Sequence, residues 1–547
     1  MSRSKLRIVS YAINGRGMGH LVRQLSILRW VRRIVALLDR SCEIWILTSS
    51  EADTLARREG FVSLKMPSKA MMRDAGIEPA RYLAIARTWV LQTIAGLQPD
   101  LLLVDTFPGG SFGELVAALE LAPHRALVAR KVRDNFAEED AYRALLPLYE
   151  RIILPDDRAG GPIVIRERSE LLSREAAREA LGIPGDVPAI WVTRGGGGDV
   201  DAASELPRLI ASLRGRGWHV VVGAGPLYQG PEIRGEGITW LCRYTPVELL
   251  LGVDAAVSAG GYNTFHELMF AGVPTVFLPQ PRIADDQEER VRRAETAGAG
   301  KVATTHRDVA DLVAELLADP NASAAARALV PRNGARAAAF EILSAVLPEA
   351  DLKMAAEVLT PELLGLIHRT RDPRGNATKS LKRTLDLVRL LSGGVPSDVG
   401  RRRAVLAELE ARGERVPELQ EPETSGISRF VALCERESVP FESAELVIRG
   451  LAKKFPAAVG VDLIAAAEAL FPVFGRFDDW MGAVSLLRAI PTQRNYVLAT
   501  FVDDVLPWLA RHDDLFDAVR DLSRLEGAGD RSVAEVLKLL NAPTPEA

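Results

Sequence analysis

Short apolar runs alternate with amphipathic stretches from the first residues of this chain. The runs at 6–11, 42–47, 62–66, 101–104 and 126–129 read as strands, with 152–154 as the last of a first set. Unbroken apolar character, rather than strict alternation, fits strands buried on both faces of a parallel sheet. Helical spacing fills about 20–38, 51–58, 78–96 and 111–121 between them. Strand and helix in alternation predict a sheet covered by helices on both sides. After a polar, glycine-containing linker around 156–161 the pattern starts again, with strands at 189–192, 220–222, 238–241, 255–257, 275–278 and 301–303. An alanine-rich helix near 321–347 is expected to close this second unit.

From about residue 353 the strand-like runs vanish. Apolar residues recur at helical spacing, as in Leu381, Leu385, Val388 and Leu391, and a Pro/Glu-rich stretch at 412–428 splits the region. Beyond it, the segment from Pro472 to Trp480 is echoed from Pro507 to Leu515 at a period of 35. A period of that size suits stacked helical hairpins, with a non-repetitive bundle the equal alternative. The expected organisation is therefore α/β, with two tandem Rossmann-like domains at 1–157 and 158–350, followed by an all-α region at 351–547. The helical region is expected to mediate self-association or hold a protein partner.

Composition narrows the classes. Of 547 residues, 48% are hydrophobic and 26% charged, an ordinary globular mix, and a net charge of −4 argues against a nucleic-acid partner. Cys42, Cys242 and Cys434 have no metal-type spacing and suit a reducing compartment. The N-terminus has no leader-like apolar region, and no apolar run reaches membrane-spanning length. A cytoplasmic protein is expected, at most peripheral to the inner face of a membrane. The arginines of 21–38 (Arg23, Arg29, Arg32 and Arg33) could meet anionic lipid, although a crossover helix with a solvated arginine face is the favoured reading.

The candidate chemistry sits where strands run into glycine turns. The segment 259–267 reads Ala-Gly-Gly-Tyr-Asn-Thr-Phe-His-Glu and directly follows an apolar strand. Gly260 and Gly261 permit a sharp turn and close approach to a ligand. A helix then opens with Thr264 as its expected N-cap, aiming free N–H groups and a positive dipole end at an anion. Thr264 and Glu267 also form a plain capping-box pattern, which would leave Glu267 a local role. Asp286 and Gln287 open the next helix with a carboxylate and an amide suited to sugar hydroxyls. A second glycine turn, with Gly17 and Gly19, ends in His20, a candidate general base at a helix start. Arg16 and Arg23 beside it could meet phosphate or an acidic acceptor. Asp105 ends the fourth strand, where it reaches the same cleft; a helix cap or loop carboxylate is the plain reading. Arg194 and the run Gly195, Gly196, Gly197 and Gly198 follow the first strand of the second unit, where a backbone nest for an anion is the better reading. Asp199 and Asp201 match an Asp-x-Asp metal string, but their place at a helix start favours capping.

These motifs resemble the donor site of inverting glycosyltransferases with the GT-B fold. The similarity is closest to glycosyltransferase family 28, which includes the peptidoglycan UDP-N-acetylglucosamine transferase, and the UDP-glycosyltransferases share the same elements. The resemblance covers about residues 5–347. It implies Gly261, Asn263 and Thr264 at the diphosphate, Glu267 at the ribose, and Asp286 and Gln287 at the transferred sugar. By the same likeness Asp105 orients His20, Arg243 lies near the nucleobase, and neither metal nor cofactor is needed. The family usually has His or Arg where this chain has Ala259, so Arg194 or Arg243 would have to supply that charge. The implied activity transfers a hexose or N-acetylhexosamine from a UDP-sugar to an acceptor hydroxyl on a glycan, lipid-linked or small molecule. A UDP-sugar 2-epimerase, a sugar-nucleotide hydrolase and a non-catalytic nucleotide-sugar-binding scaffold are the alternatives.

Overall fold

The computed structural model of the chain describes residues 5–13, 17–38, 40–130, 140–155, 160–195, 202–280, 287–359, 426–458, 460–477, 480–489 and 497–509, with Leu387, Leu390, Leu391 and Leu515. It divides into two compact units, 1–352 and 353–547.

In the first unit the apolar runs become strands: β1 (Leu6–Ala12), β2 (Cys42–Thr48), β3 (Val62–Lys65), β4 (Leu101–Asp105), β5 (His124–Val128) and β6 (Arg151–Ile153). The second set is β7 (Ala189–Thr193), β8 (His219–Gly223), β9 (Ile238–Leu241), β10 (Ala255–Ser258), β11 (Thr275–Phe277) and β12 (Gly300–Val302). They form two six-stranded sheets, ordered β3-β2-β1-β4-β5-β6 and β12-β11-β10-β7-β8-β9, with parallel pairings throughout. Counted from its own first strand, the second sheet repeats the order of the first. In both, the direction of winding reverses between the first and fourth strands, so the loops leaving those two strands part and open a crevice at their carboxyl ends. Register brings the loops level. Tyr11 pairs with Val104 in one sheet, and Thr193 with Ser258 in the other. Both glycine turns of the second sheet therefore emerge side by side.

Helix α1 (Gly19–Leu37) is central. It packs on β1 and β2, on α2 (Tyr262–Ala271), and on α4 (Ala335–Leu343), with α3 (Gln287–Thr296) lying between those last two in the chain. Most residues of α1 are buried, including Arg23 and Arg29. The expected solvated or lipid-facing arginine stripe is thus corrected. Arg23 is bonded to Asp105, Arg29 and Arg33 to Glu170, and Arg32 donates to the carbonyls of Glu59 and Gly60 while lying over the Phe61 ring. Guanidinium groups rather than apolar tips fill that face because buried carboxylates of the neighbouring elements meet them.

Those carboxylates tie the two sheets together. Arg166 reaches Glu59 at 2.7 Å and Glu248 at 2.6 Å, while Glu170 takes Arg29 at 2.6 Å and Arg33 at 3.2 Å. Burial would push the Glu170 carboxyl up, but the surrounding arginines outweigh it and hold it well below the carboxylate range. Glu167, buried and beside Glu170, is instead pushed up to about 7 and accepts from Trp30 and Asn333.

Two elements differ from expectation. The region 111–121 keeps only a 3-10 turn, Val116–Leu121. The buried Glu114 carboxylate takes the N–H groups of Ser111 and Phe112 and the Tyr11 hydroxyl, and Gly110 and Gly113 adopt positive φ, which stops a helix from starting. The alanine-rich helix is split into Ala322–Leu329 and α4. Pro331 cannot continue the helical ladder, and Asn333 pairs with Val164 across the chain. The second piece packs on α1 and β6, so it crosses back to the first sheet rather than closing the second.

The second unit is helical in its described residues, with Gly426–Arg436, Phe441–Lys454, Gly460–Gly475, Trp480–Ala489 and Leu498–Leu509 around buried Phe430, Phe471, Phe474 and Trp508. Pro472 and Pro507 both lie inside helices. Most of the second copy, and the run at 381–391 apart from three leucines, lies outside the described residues. Among the described residues no helix is long and apolar enough to cross a membrane.

Removing one partner from a buried ionic network strands the others, at a typical cost of about 3–5 kcal/mol. Arg166→Ala should lower unfolding stability by that order in urea denaturation, whereas Arg174→Ala, at an exposed pair with Asp254, should change it by under about 1 kcal/mol.

Candidate active site

The crevice of the first sheet holds a carboxylate–imidazole pair. Asp105 ends β4 and His20 opens α1, so the strand-order reversal alone places them together. His20 Nδ1 lies 2.6 Å from Asp105 Oδ1. A carboxylate at that distance fixes the ring proton on Nδ1 and leaves Nε2 as the basic nitrogen. Asp105 is anchored further: Arg23 Nε donates to its Oδ2 at 2.8 Å, a second guanidinium nitrogen bonds Oδ1, and Thr106 Oγ1 donates to Oδ1 at 2.7 Å. Burial would raise the Asp105 carboxyl, but Arg23 and His20 overcome it and keep it ionised far below the usual range. Burial, aided by the charges of Arg23 and Arg130, lowers the His20 pKa below its ordinary value despite Asp105. The imidazole is therefore neutral at pH 7, as a general base must be.

The facing crevice belongs to the second sheet. Gly260 turns the chain with φ +78°, and a Cβ there would stand 2.5 Å from Val291 Cγ1. Only glycine fits. The helix α2 then starts at Tyr262 with Gly261 as its N-cap and no side-chain cap bond. This corrects the expected cap at Thr264: the Gly260 turn brings the chain into helix earlier, and Thr264 becomes an interior first-turn residue. The Thr264–Glu267 capping box is accordingly not formed. A glycine cap adds no side-chain acceptor to the first-turn N–H groups.

One cleft of about 680 Å³ collects these features. Gly17, Gly19 and His20 line it from the first sheet, and Arg194, Gly195 and Arg243 from the second. Gly261, Asn263, Thr264, Glu267 and Gln287 complete the opposing wall, with Gly260 buried at the turn behind them. Gly196, Gly197, Gly198 and Asp286 lie outside the described residues, as do Arg16, Asp199 and Asp201.

Several side chains are occupied in ways the motifs did not reveal. Arg23 is committed to Asp105 rather than offered to phosphate. Arg194 pairs with Glu205 at 2.8 Å and donates to the Leu278 carbonyl, so its charge is already balanced. Asn263 Nδ2 donates to the Gly19 carbonyl at 3.1 Å, tying α2 to the histidine turn, while its buried Oδ1 has no hydrogen-bond partner among the described residues. Asn263 therefore keeps an open acceptor, and its amide nitrogen has a second N–H beyond the one given to Gly19. Gln287 Oε1 accepts from the Gln280 N–H at 3.0 Å. Two cleft residues escaped the sequence reading. Arg130 follows β5, and Tyr262 carries the guanidinium groups of Arg23, Arg130 and Arg290 about its ring at 5.1, 5.9 and 5.5 Å. A basic residue just past a strand end was the available signal for Arg130.

Glu267 lies in this wall with its pKa pushed up to about 8 by burial, only partly offset by Arg166. An acid raised on folding binds its proton more tightly in the folded state. Its contribution to stability is then full below the unfolded value of about 4.3 and lost as pH climbs towards about 8. Comparing wild type with Glu267→Gln by urea denaturation from pH 4 to 9 should show an extra decline in the wild type across that window; parallel curves would contradict it.

No family model matches the chain. It is 32% identical over 154 residues to the UDP-N-acetylglucosamine–N-acetylmuramyl-(pentapeptide) pyrophosphoryl-undecaprenol N-acetylglucosamine transferase of Acetivibrio thermocellus, covering 26% of this chain and 41% of that protein. The transferase of the same name from Symbiobacterium thermophilum is 27% identical over 259 residues, covering 45% of this chain and 63% of that protein. The chain thus spans less than two thirds of either relative. Among solved structures, the calicheamicin glycosyltransferase aligns with 63% of this chain and 100% of its own, at 16% identity and a TM-score of 0.45. Two doubly wound parallel sheets facing across a cleft make this a GT-B fold, and in sequence the chain is similar to the UDP-N-acetylglucosamine transferases of the family 28 type.

Proposed function

We propose that this chain is an inverting glycosyltransferase that moves a hexose or N-acetylhexosamine from a UDP-sugar to an acceptor hydroxyl. The observation that carries this reading is the His20–Asp105 pair, held on the wall of the same cleft that Gly261 and Glu267 line from the other sheet.

The chemistry follows from the residues. His20 Nε2 takes the proton from the acceptor hydroxyl, and the oxygen attacks the anomeric carbon from the face opposite the nucleotide. Asp105 stabilises the imidazolium that forms, and Arg23 holds Asp105 in place. The N–H groups at Gly261 and the start of α2, with the glycine run beginning at Gly195, stabilise the departing diphosphate. Glu267 accepts from the ribose hydroxyls, Asn263 serves the diphosphate, and Gln287 serves the transferred sugar. A half-buried carboxyl pushed up towards 8 gains from such partners, since hydroxyl donors favour its ionised form.

Loss of a positioned general base typically costs about 10²–10⁴-fold. His20→Ala should lower kcat by that order, with KM for the donor little changed, in an assay following both donor consumption and glycosylated product. Wild-type turnover in the variant would remove His20 from the mechanism. Altered or hydrolysed donor formed without any acceptor would replace transfer by epimerisation or hydrolysis.

A further inference from the structure

The family's usual cation at the diphosphate turn is replaced here by Ala259, and the two residues expected to compensate are poorly suited. Arg194 is neutralised by Glu205. Arg243 is exposed at the rim beyond β9. The first sheet supplies a better-placed group. Val128 pairs with Asp105, and the ladder continues one residue further, with the Ala129 N–H donating to the Ile153 carbonyl at 2.8 Å. Arg130 therefore leaves the sheet at the crevice that holds the dyad. Its guanidinium lies 5.9 Å from the centre of the Tyr262 ring, and Tyr262 is the first residue of α2, next to the Gly261 cap. The side chain is largely buried, at 9% exposure, and lines the cleft.

Resting on the donor-site reading above, we infer that Arg130 is the diphosphate-binding cation of this protein, reaching from the first domain to the glycine turn of the second. The Tyr262 ring is the platform that holds the guanidinium beside the helix N-terminus before the donor arrives. A cation over an aromatic face is worth about 0.5–1 kcal/mol at exposed sites, and a bidentate bond to phosphate is stronger and directional. The donor therefore draws Arg130 onto its own oxygens, and the diphosphate bridges both sheets. Arg23 and Arg290 do not compete for that role. The first is locked to Asp105 and the second donates to the Gly260 carbonyl at 2.9 Å. Arg130 is also close enough to His20 for its charge to disfavour protonation of the imidazole.

The test compares UDP with uridine, by calorimetry and by competition, on wild type, Arg130→Ala, Arg130→Lys and Arg243→Ala. Loss of a charge-assisted contact corresponds to roughly ten- to a hundredfold in affinity. Arg130→Ala should lose that for UDP while binding uridine as wild type does. Arg130→Lys should recover part of it, since a point charge remains without the planar fork. Arg243→Ala should leave the UDP-to-uridine ratio unchanged. Equal weakening of both ligands in the Arg130 variants, or an unchanged UDP affinity, overturns the assignment while the donor site stands. Absence of UDP binding in the wild type overturns both. Should Arg130→Ala fail to fold, the ratio in Arg130→Lys decides.

Discussion

A parallel sheet wound in two directions opens a crevice only where its strand order reverses, and this chain meets that constraint twice. The dyad and the glycine turns of the first unit lie at those two places. Asp105 and His20 end and follow the paired strands β4 and β1, while the turns after Thr193 and Ser258 follow β7 and β10. Setting the two crevices face to face demands a rigid connection between the sheets. Part of that connection is the buried ionic network around Arg166 and Glu170, and part is α4, which crosses from the second sheet to pack on α1. The amide bond from Asn263 to the Gly19 carbonyl closes the same gap at the site itself.

Charge in the cleft is arranged by subtraction. Of its guanidinium groups, Arg23 is committed to Asp105 and Arg194 to Glu205, while Arg290 beside it donates to the Gly260 carbonyl. The first of these has a consequence for the dyad. Asp105 alone would raise the basicity of the histidine, but burial of the ring, aided by the charges of Arg23 and Arg130, outweighs it, and His20 stays neutral. Glu267 shows the opposite balance: half-buried, it is pushed up to about 8 by desolvation, which the charge of Arg166 only partly offsets.

The strands were legible because unbroken apolar runs have few other uses in a chain of this composition, and the second sheet copies the first in sequence as in space. The glycine turns were legible because Gly260 sits where no other residue fits. What failed to show was partner identity. The arginines of α1 have the spacing of a solvated face, and only their long-range partners, such as Glu170 more than a hundred residues away, reveal them as internal. Thr264 has the residue type of an N-cap, yet helix entry was set by backbone geometry at Gly260 and Gly261. Arg130 carried little local signal because its role depends on Tyr262, which lies in the other sheet's crevice.

The central claim is that this cleft binds a nucleotide sugar through the α2 wall. Calorimetric titration of the full chain with UDP-N-acetylglucosamine and related UDP-sugars, wild type beside Glu267→Ala, tests it most directly. The account predicts binding in the micromolar range by at least one UDP-sugar, weakened tenfold or more, or about 1.4 kcal/mol, in the variant. Undiminished binding in Glu267→Ala, or no UDP-sugar bound by the wild type, would contradict it.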